Sequence, residues 1–78
     1  MPTVWRHGPY RFFFYADDGQ EPPHVHVERD DRIAKFWLDP VRLDSSGRLR
    51  PAELAEIQKI IVTHEDELLE AWNEYFHG

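Results

Sequence analysis

The chain alternates two kinds of hydrophobic pattern, and the change between them divides it. Thr3–His7 and Tyr10–Tyr15 are rich in β-branched and aromatic residues, with Gly8-Pro9 between them, and predict a hairpin. Asp17-Asp18-Gly19-Gln20 is a turn cluster, and Pro22-Pro23 makes an extended lead-in. His24–Glu28 and Ile33–Leu38 predict a second hairpin around Arg29–Arg32, closed by Asp39-Pro40. Leu43–Arg48, with Ser45-Ser46-Gly47, predicts a loop. From Pro51 the period changes. Leu54, Ile57, Ile61, His64, Leu68, Trp72 and Tyr75 or Phe76 recur at helical spacing, with Glu53, Glu56, Lys59, Glu67, Glu70 and Glu74 opposite. A single helix of that length is about 37 Å long at 1.5 Å per residue. Thr63-x-x-Asp66 offers a capping box at which it could break, but the unbroken register favours one helix. The expected fold is a single α+β domain over residues 1–78. It has a four-stranded, mainly antiparallel sheet of two hairpins and one long C-terminal helix on one face.

Strand parity sorts the side chains. An even loop across Arg29–Arg32 sets Glu28 opposite Ile33, His26 opposite Lys35 and His24 opposite Trp37. Val25, Val27, Ala34, Phe36 and Leu38 then form an apolar face for the helix, joined by Trp5, Phe12 and Phe14 of the first hairpin. The open face combines His24, His26, Glu28, Lys35 and Trp37 with Arg6, Arg11 and exposed aromatics. A one-residue slip would reverse this assignment.

Composition narrows the chemistry. The 78 residues contain no cysteine, which excludes disulfides, thiolate metal sites and a cysteine nucleophile. Aromatic residues make up 14% of the chain, a large apolar payload for a domain with so little interior. No apolar run approaches a membrane span, and no secretion signal is expected. Net charge is −6, and basic and acidic residues balance up to Arg50. Beyond it lie seven acidic residues and only Lys59, so any nucleic-acid contact must come from the N-terminal part. No Walker loop, dinucleotide glycine fingerprint or nucleophile elbow is present.

His24-x-His26-x-Glu28 supports three readings. As a metal site it offers suitable ligands, but same-face neighbours on a strand stand about 6.6 Å apart and Lys35 opposes a cation. As acid/base catalysts of RNA cleavage, His24 and His26 would work beside Arg6, Arg11 or Lys35 on phosphate, with Trp37 stacking on a base. In the third reading the histidines simply hydrogen-bond and fix the sheet surface. Trp72, Tyr75 and Phe76 are candidates for core or partner interface. Asp17-Asp18 and Asp30-Asp31 read as turn chemistry.

Several segments together resemble a known family. They are Met1-Pro2-Thr3-Val4, Arg11-Phe12-Phe13-Phe14-Tyr15, Glu21-Pro22-Pro23-His24-Val25-His26-Val27, Ala34-Lys35-Phe36-Trp37-Leu38 and His64 with Leu68-Leu69-Glu70-Ala71-Trp72. They resemble the small prokaryotic family named domain of unknown function 4160. The resemblance implies a bacterial or archaeal cytoplasmic protein, often encoded beside another small protein in a toxin–antitoxin-like pair. Some members are labelled transcriptional regulators. It implies no catalytic residues. The leading expectation is a toxin-like component that binds or cleaves RNA through the open sheet face. The alternatives are a non-enzymatic interaction or regulatory module and a metal-binding protein using His24, His26 and Glu28. No cofactor is expected. A small cognate partner is, and self-association is compatible with the aromatic helix.

Overall fold

The computed structural model describes residues 3–78. Met1 and Pro2, which contribute to the resemblance, lie outside the described residues. Five strands form one antiparallel meander in sequence order: β1 (Thr3–His7), β2 (Tyr10–Phe13), β3 (His24–Arg29), β4 (Arg32–Leu38) and β5 (Val41–Ser45). A 3₁₀ segment, Ala16–Gln20, connects β2 to β3. Two helices follow, α1 (Pro51–Thr63) and α2 (Glu65–His77). Among the described residues no helix is long and apolar enough to cross a membrane.

The expected parity holds. His24 pairs with Trp37, His26 with Lys35 and Glu28 with Ile33. Phe12, Val25, Val27, Ala34, Phe36 and Leu38 are fully buried, and Ile57, Ile61, Leu68 and Trp72 pack over them from the helices. Trp5 pairs with Phe12 and joins the edge of this core. Burial of these large side chains is the main stabilising term, on the order of 1.5–3 kcal/mol for each fully buried aliphatic or phenylalanine side chain.

Two expectations need correction. The sheet has five strands, because Val41–Ser45 pairs with β4 instead of forming a loop. Val41 opposite Leu38 and Leu43 opposite Phe36 are its only apolar pairs, and Leu43 remains 39% exposed. An edge strand needs little apolar content, so its pattern is weak.

The long helix is also two helices, interrupted at His64, whose φ of −113° is not helical. An unbroken helix of about 37 Å would overrun the fold, whose longest dimension is 34 Å. The interruption lets Leu68 and Trp72 reach the core. It falls at His64, one residue after the expected cap residue Thr63. Thr63 Oγ1 donates back to the Lys59 carbonyl at 2.9 Å instead of capping α2. Glu65, Asp66 and Glu67 in the first turn of α2 match the partial positive charge of a helix N-terminus. His64 packs at a tilt against Trp5, ring centroids 4.4 Å apart, and contacts Glu67 at 3.1 Å, so it bridges the helices to β1 at the surface.

The start of α1 is tied to the β3–β4 turn. Glu53 accepts the Arg50 backbone N–H at 3.0 Å and the Arg29 guanidinium at 3.0 Å. The Arg50 N–H, more than the neighbouring arginines, holds its carboxyl below the usual range.

Two glycines at positive φ make a controlled pair. Gly47 has φ +59°, and a Cβ there would collide with the Ile33 carbonyl; Gly8 has φ +57° with open space around it. Gly8→Ala should cost about 1 kcal/mol from the left-handed backbone alone. Gly47→Ala should cost at least about 2 kcal/mol more, a melting-temperature loss of roughly 10 °C or greater in a domain this size. Thermal unfolding of both variants checks the contrast; equal losses would contradict it.

Candidate functional site

A third residue, from outside β3, completes the histidine cluster. After β2 the chain turns through Tyr15 into the 3₁₀ segment. The Asp18 backbone N–H donates to the Tyr15 carbonyl at 3.1 Å, and Asp18 Oδ2 accepts the Tyr15 N–H at 2.8 Å. This reciprocal pair fixes the carboxylate. It faces the two histidines of β3: Asp18 Oδ2 lies 3.0 Å from His26 Nε2, and Oδ1 lies 3.1 Å from His24 Nε2. The segment is held from outside by α2. Phe76 packs so closely on Gly19 that an added Cβ would stand 2.6 Å from its ring.

The two histidines differ sharply in environment. His24 is fully buried, with ring centroids 5.1 Å from Trp72, 5.5 Å from Trp37 and 5.1 Å from His26. Its Nδ1 donates to the Pro22 carbonyl at 2.9 Å. A carbonyl only accepts, so this bond fixes the proton on Nδ1, and in the neutral ring Nε2 carries a lone pair. Among the described residues His24 Nε2 has no hydrogen-bond partner. Asp18 Oδ1 is near enough, but the two atoms are not aligned for a bond, and proximity without alignment is only a charge contact. His26 is partly buried beside Phe13 and Tyr15, at 5.5 and 4.6 Å. Without a cation, its Nε2 must be the donor to the Asp18 carboxylate. Burial is the main cause holding its pKa below the usual histidine value, with the Asp18 charge opposing that shift.

The remaining candidates on this face are largely engaged with one another. Glu28, expected beside the histidines as a ligand, instead accepts from Arg11 Nε at 2.8 Å and is not among the clustered ligands. Arg11 also lies over the Phe13 ring at 4.2 Å and donates to Thr3 Oγ1 at 3.2 Å. Lys35 contacts Glu21 at 2.6 Å and lies 4.5 Å from the Trp37 ring. That contact holds the Glu21 carboxyl below its usual range. Arg6 pairs in register with Arg11 and is exposed. Phe13 is fully buried beneath Arg11, His26 and Tyr15 and offers no stacking surface, whereas Tyr15 is 37% exposed.

The aromatic residues of α2 divide. Trp72 is 2% exposed and belongs to the core, Phe76 braces the 3₁₀ segment, and Tyr75 is 45% exposed. Asp18 is the residue that sequence reasoning missed. The usable signal was the three-residue spacing from Tyr15 to Asp18, which suits a carboxylate capping a turn just before the histidine strand.

The pH response follows from His26. A folded-state pKa below the unfolded value means that the unfolded chain binds the proton more readily. The stability contribution is full above about pH 6.5 and is lost as pH falls below that value. Asp18, His24 and Lys35 face His26 and modulate the effect. Lowering the pH from about 7 to about 5.5 should reduce the melting temperature of the wild type more than that of His26→Asn. Parallel profiles would contradict the assignment, and histidine titration by NMR gives the pKa directly.

The model of one protein family, described as a domain of unknown function (DUF4160), matches residues 10–73. Comparisons with curated proteins and with solved structures give no significant match. The family match covers β2 through most of α2, including Asp18, His24 and His26. The chain therefore belongs to the DUF4160 family.

Proposed function

We propose that this chain is the binding component of a two-protein module, and that it holds its partner along β1 and α2. The single observation that carries this reading is the unpaired edge of β1 beside an apolar, acid-rimmed groove. β1 is the first strand of the sheet and, among the described residues, has β2 as its one neighbour. The groove has a volume of about 340 Å³ and is lined by Thr3, Val4, Phe14, Ala71, Glu74 and Tyr75. An extended segment can add to such an edge through backbone hydrogen bonds while the groove takes an apolar side chain. Glu67 borders the adjoining depression beside Val4 and Trp5. Together with Glu74 it favours a partner segment carrying lysine or arginine. The family resemblance supports the same reading, since it implies a second small protein encoded nearby.

RNA binding is the second reading, supported by the register that sets Arg6, Arg11, Lys35 and Trp37 on one face. Two facts weigh against it. Arg11 and Lys35 are already paired with carboxylates, and His24 is sealed from solvent, where it cannot reach a phosphodiester. A toxin-like role through partner release is compatible with the first reading and needs no catalysis.

Mixing the purified chain with the small protein encoded beside it tests the proposal. A one-to-one complex is expected, with amide exchange slowed in Thr3–His7. Tyr75→Ala should weaken it roughly tenfold to a hundredfold without changing the circular dichroism. Unaltered affinity in Tyr75→Ala, or protection confined to the open sheet face, contradicts this reading. Salt-sensitive binding of a single-stranded RNA that Arg6→Ala and Lys35→Ala abolish would establish the second.

A further inference from the structure

We propose that Asp18, His24 and His26 form a binding site for one divalent transition-metal ion of the zinc type. The inference is independent of the partner-binding reading. One ligand atom from each residue lies within 4.8 Å of the others. Around an ion with bonds of 2.0–2.1 Å, tetrahedral ligands stand roughly 3.3 Å apart. His24 Nε2 lies 3.1 Å from Asp18 Oδ1 and His26 Nε2 lies 3.0 Å from Oδ2, so each imidazole is already near that edge from one oxygen of the shared carboxylate. Modest rotation of the rings closes the remaining distance.

The buried orphan nitrogen is the second, separate observation. His24 Nε2 is fully enclosed and lacks a hydrogen-bond partner among the described residues. Leaving such an atom unsatisfied forfeits its hydration with nothing in return. Its nearest polar neighbour, the Asp18 carboxylate oxygen at 3.1 Å, is also electron-rich and out of line for a bond, so it leaves the nitrogen unsatisfied. A metal ion resolves the contact, because it accepts both lone pairs and does not require the two atoms to be collinear.

The surroundings of the three residues are those of a metal centre. His24 Nδ1 donates to the Pro22 carbonyl, which fixes the tautomer and aims Nε2 inward. The Tyr15 N–H holds Asp18 Oδ2 at 2.8 Å. Phe13, Trp37 and Trp72 supply an apolar wall around the imidazoles. Lys35, which from its strand position opposes a cation, has its charge offset by Glu21 at 2.6 Å. Two imidazoles and one carboxylate suit zinc, cobalt or nickel rather than the all-oxygen preference of magnesium or calcium. His26 joins by shifting its proton from Nε2 to Nδ1. Asp18 and His26 side chains are 13% and 12% exposed, so the fourth position opens toward solvent and a water.

The test uses untagged full-length protein stripped with a chelator and titrated with zinc and with cobalt. One equivalent should bind, with visible ligand-field absorption for cobalt. His26→Gln and Asp18→Asn should weaken zinc binding by at least about a hundredfold, beyond the range of a supporting-residue change. Glu28→Gln should leave it unchanged. Asp18→Asn separates this proposal from a protonated His24 paired with Asp18. Its amide removes the charge that would stabilise a protonated His24 but not a neutral one, so the metal-free variant should melt close to the metal-free wild type. A folded wild type that binds no zinc overturns the proposal. So does Asp18→Asn binding zinc as tightly as wild type, loss of binding in Glu28→Gln, or a marked fall in the metal-free melting temperature of Asp18→Asn.

Discussion

The Asp18 carboxylate is the point on which the histidine cluster of this fold is assembled. It closes its own turn through Tyr15 and reaches two histidines on β3. The 3₁₀ segment that carries it gives Phe76 a surface to pack on, and that contact sets the end of α2. Trp72, one turn earlier, then covers His24. A polar group enclosed in this way must be compensated. His24 Nδ1 is compensated by Pro22; its Nε2 depends on whatever occupies the space beside Asp18. The ordering of one connecting turn and the chemistry of the cluster are therefore the same problem.

That arrangement changes what the open sheet face can do. Arginine, lysine and aromatic residues side by side suggest a platform for a polyanion. In the folded protein Arg11 and Lys35 are engaged with Glu28 and Glu21, and Phe13 lies beneath other side chains. The face is close to charge-balanced, and its strongest feature is a buried cluster of ligands. The other side of the molecule differs. Among the described residues β1 is an edge strand, with Val4 beside the exposed Tyr75 ring. The molecule thus presents two separate features, a largely buried Asp18–His24–His26 cluster and an edge strand beside an apolar groove.

Much of this was legible in the sequence, for identifiable reasons. The register of the second hairpin was legible, because Val25, Val27, Ala34, Phe36 and Leu38 alternate cleanly, but the burial of His24 and Phe13 on the opposite face, which was expected to be open, was not. β5 was not legible, since Arg42, Asp44 and Ser45 dilute the alternation of an edge strand. The interruption at His64 was hidden by a register that runs through it. Chain length against domain size forced the break, and that is a property of the whole fold. His24 and His26 were identified from strand parity. Glu28 was grouped with them by the same rule, but parity ignores competition, and Arg11 claims Glu28 from the neighbouring strand. Asp18 replaces it from a turn whose path depends on α2. Local pattern has no access to that dependence.

The state of the His24 ring decides the central claim. Long-range proton–nitrogen NMR of the metal-free protein near neutral pH reports which imidazole nitrogens carry protons. The account expects His24 protonated on Nδ1 only, with an Nε2 signal typical of a free lone pair that shifts to a metal-bound value when zinc is added. An Nε2 that carries a proton in the metal-free protein, with a spectrum unmoved by zinc, would contradict it.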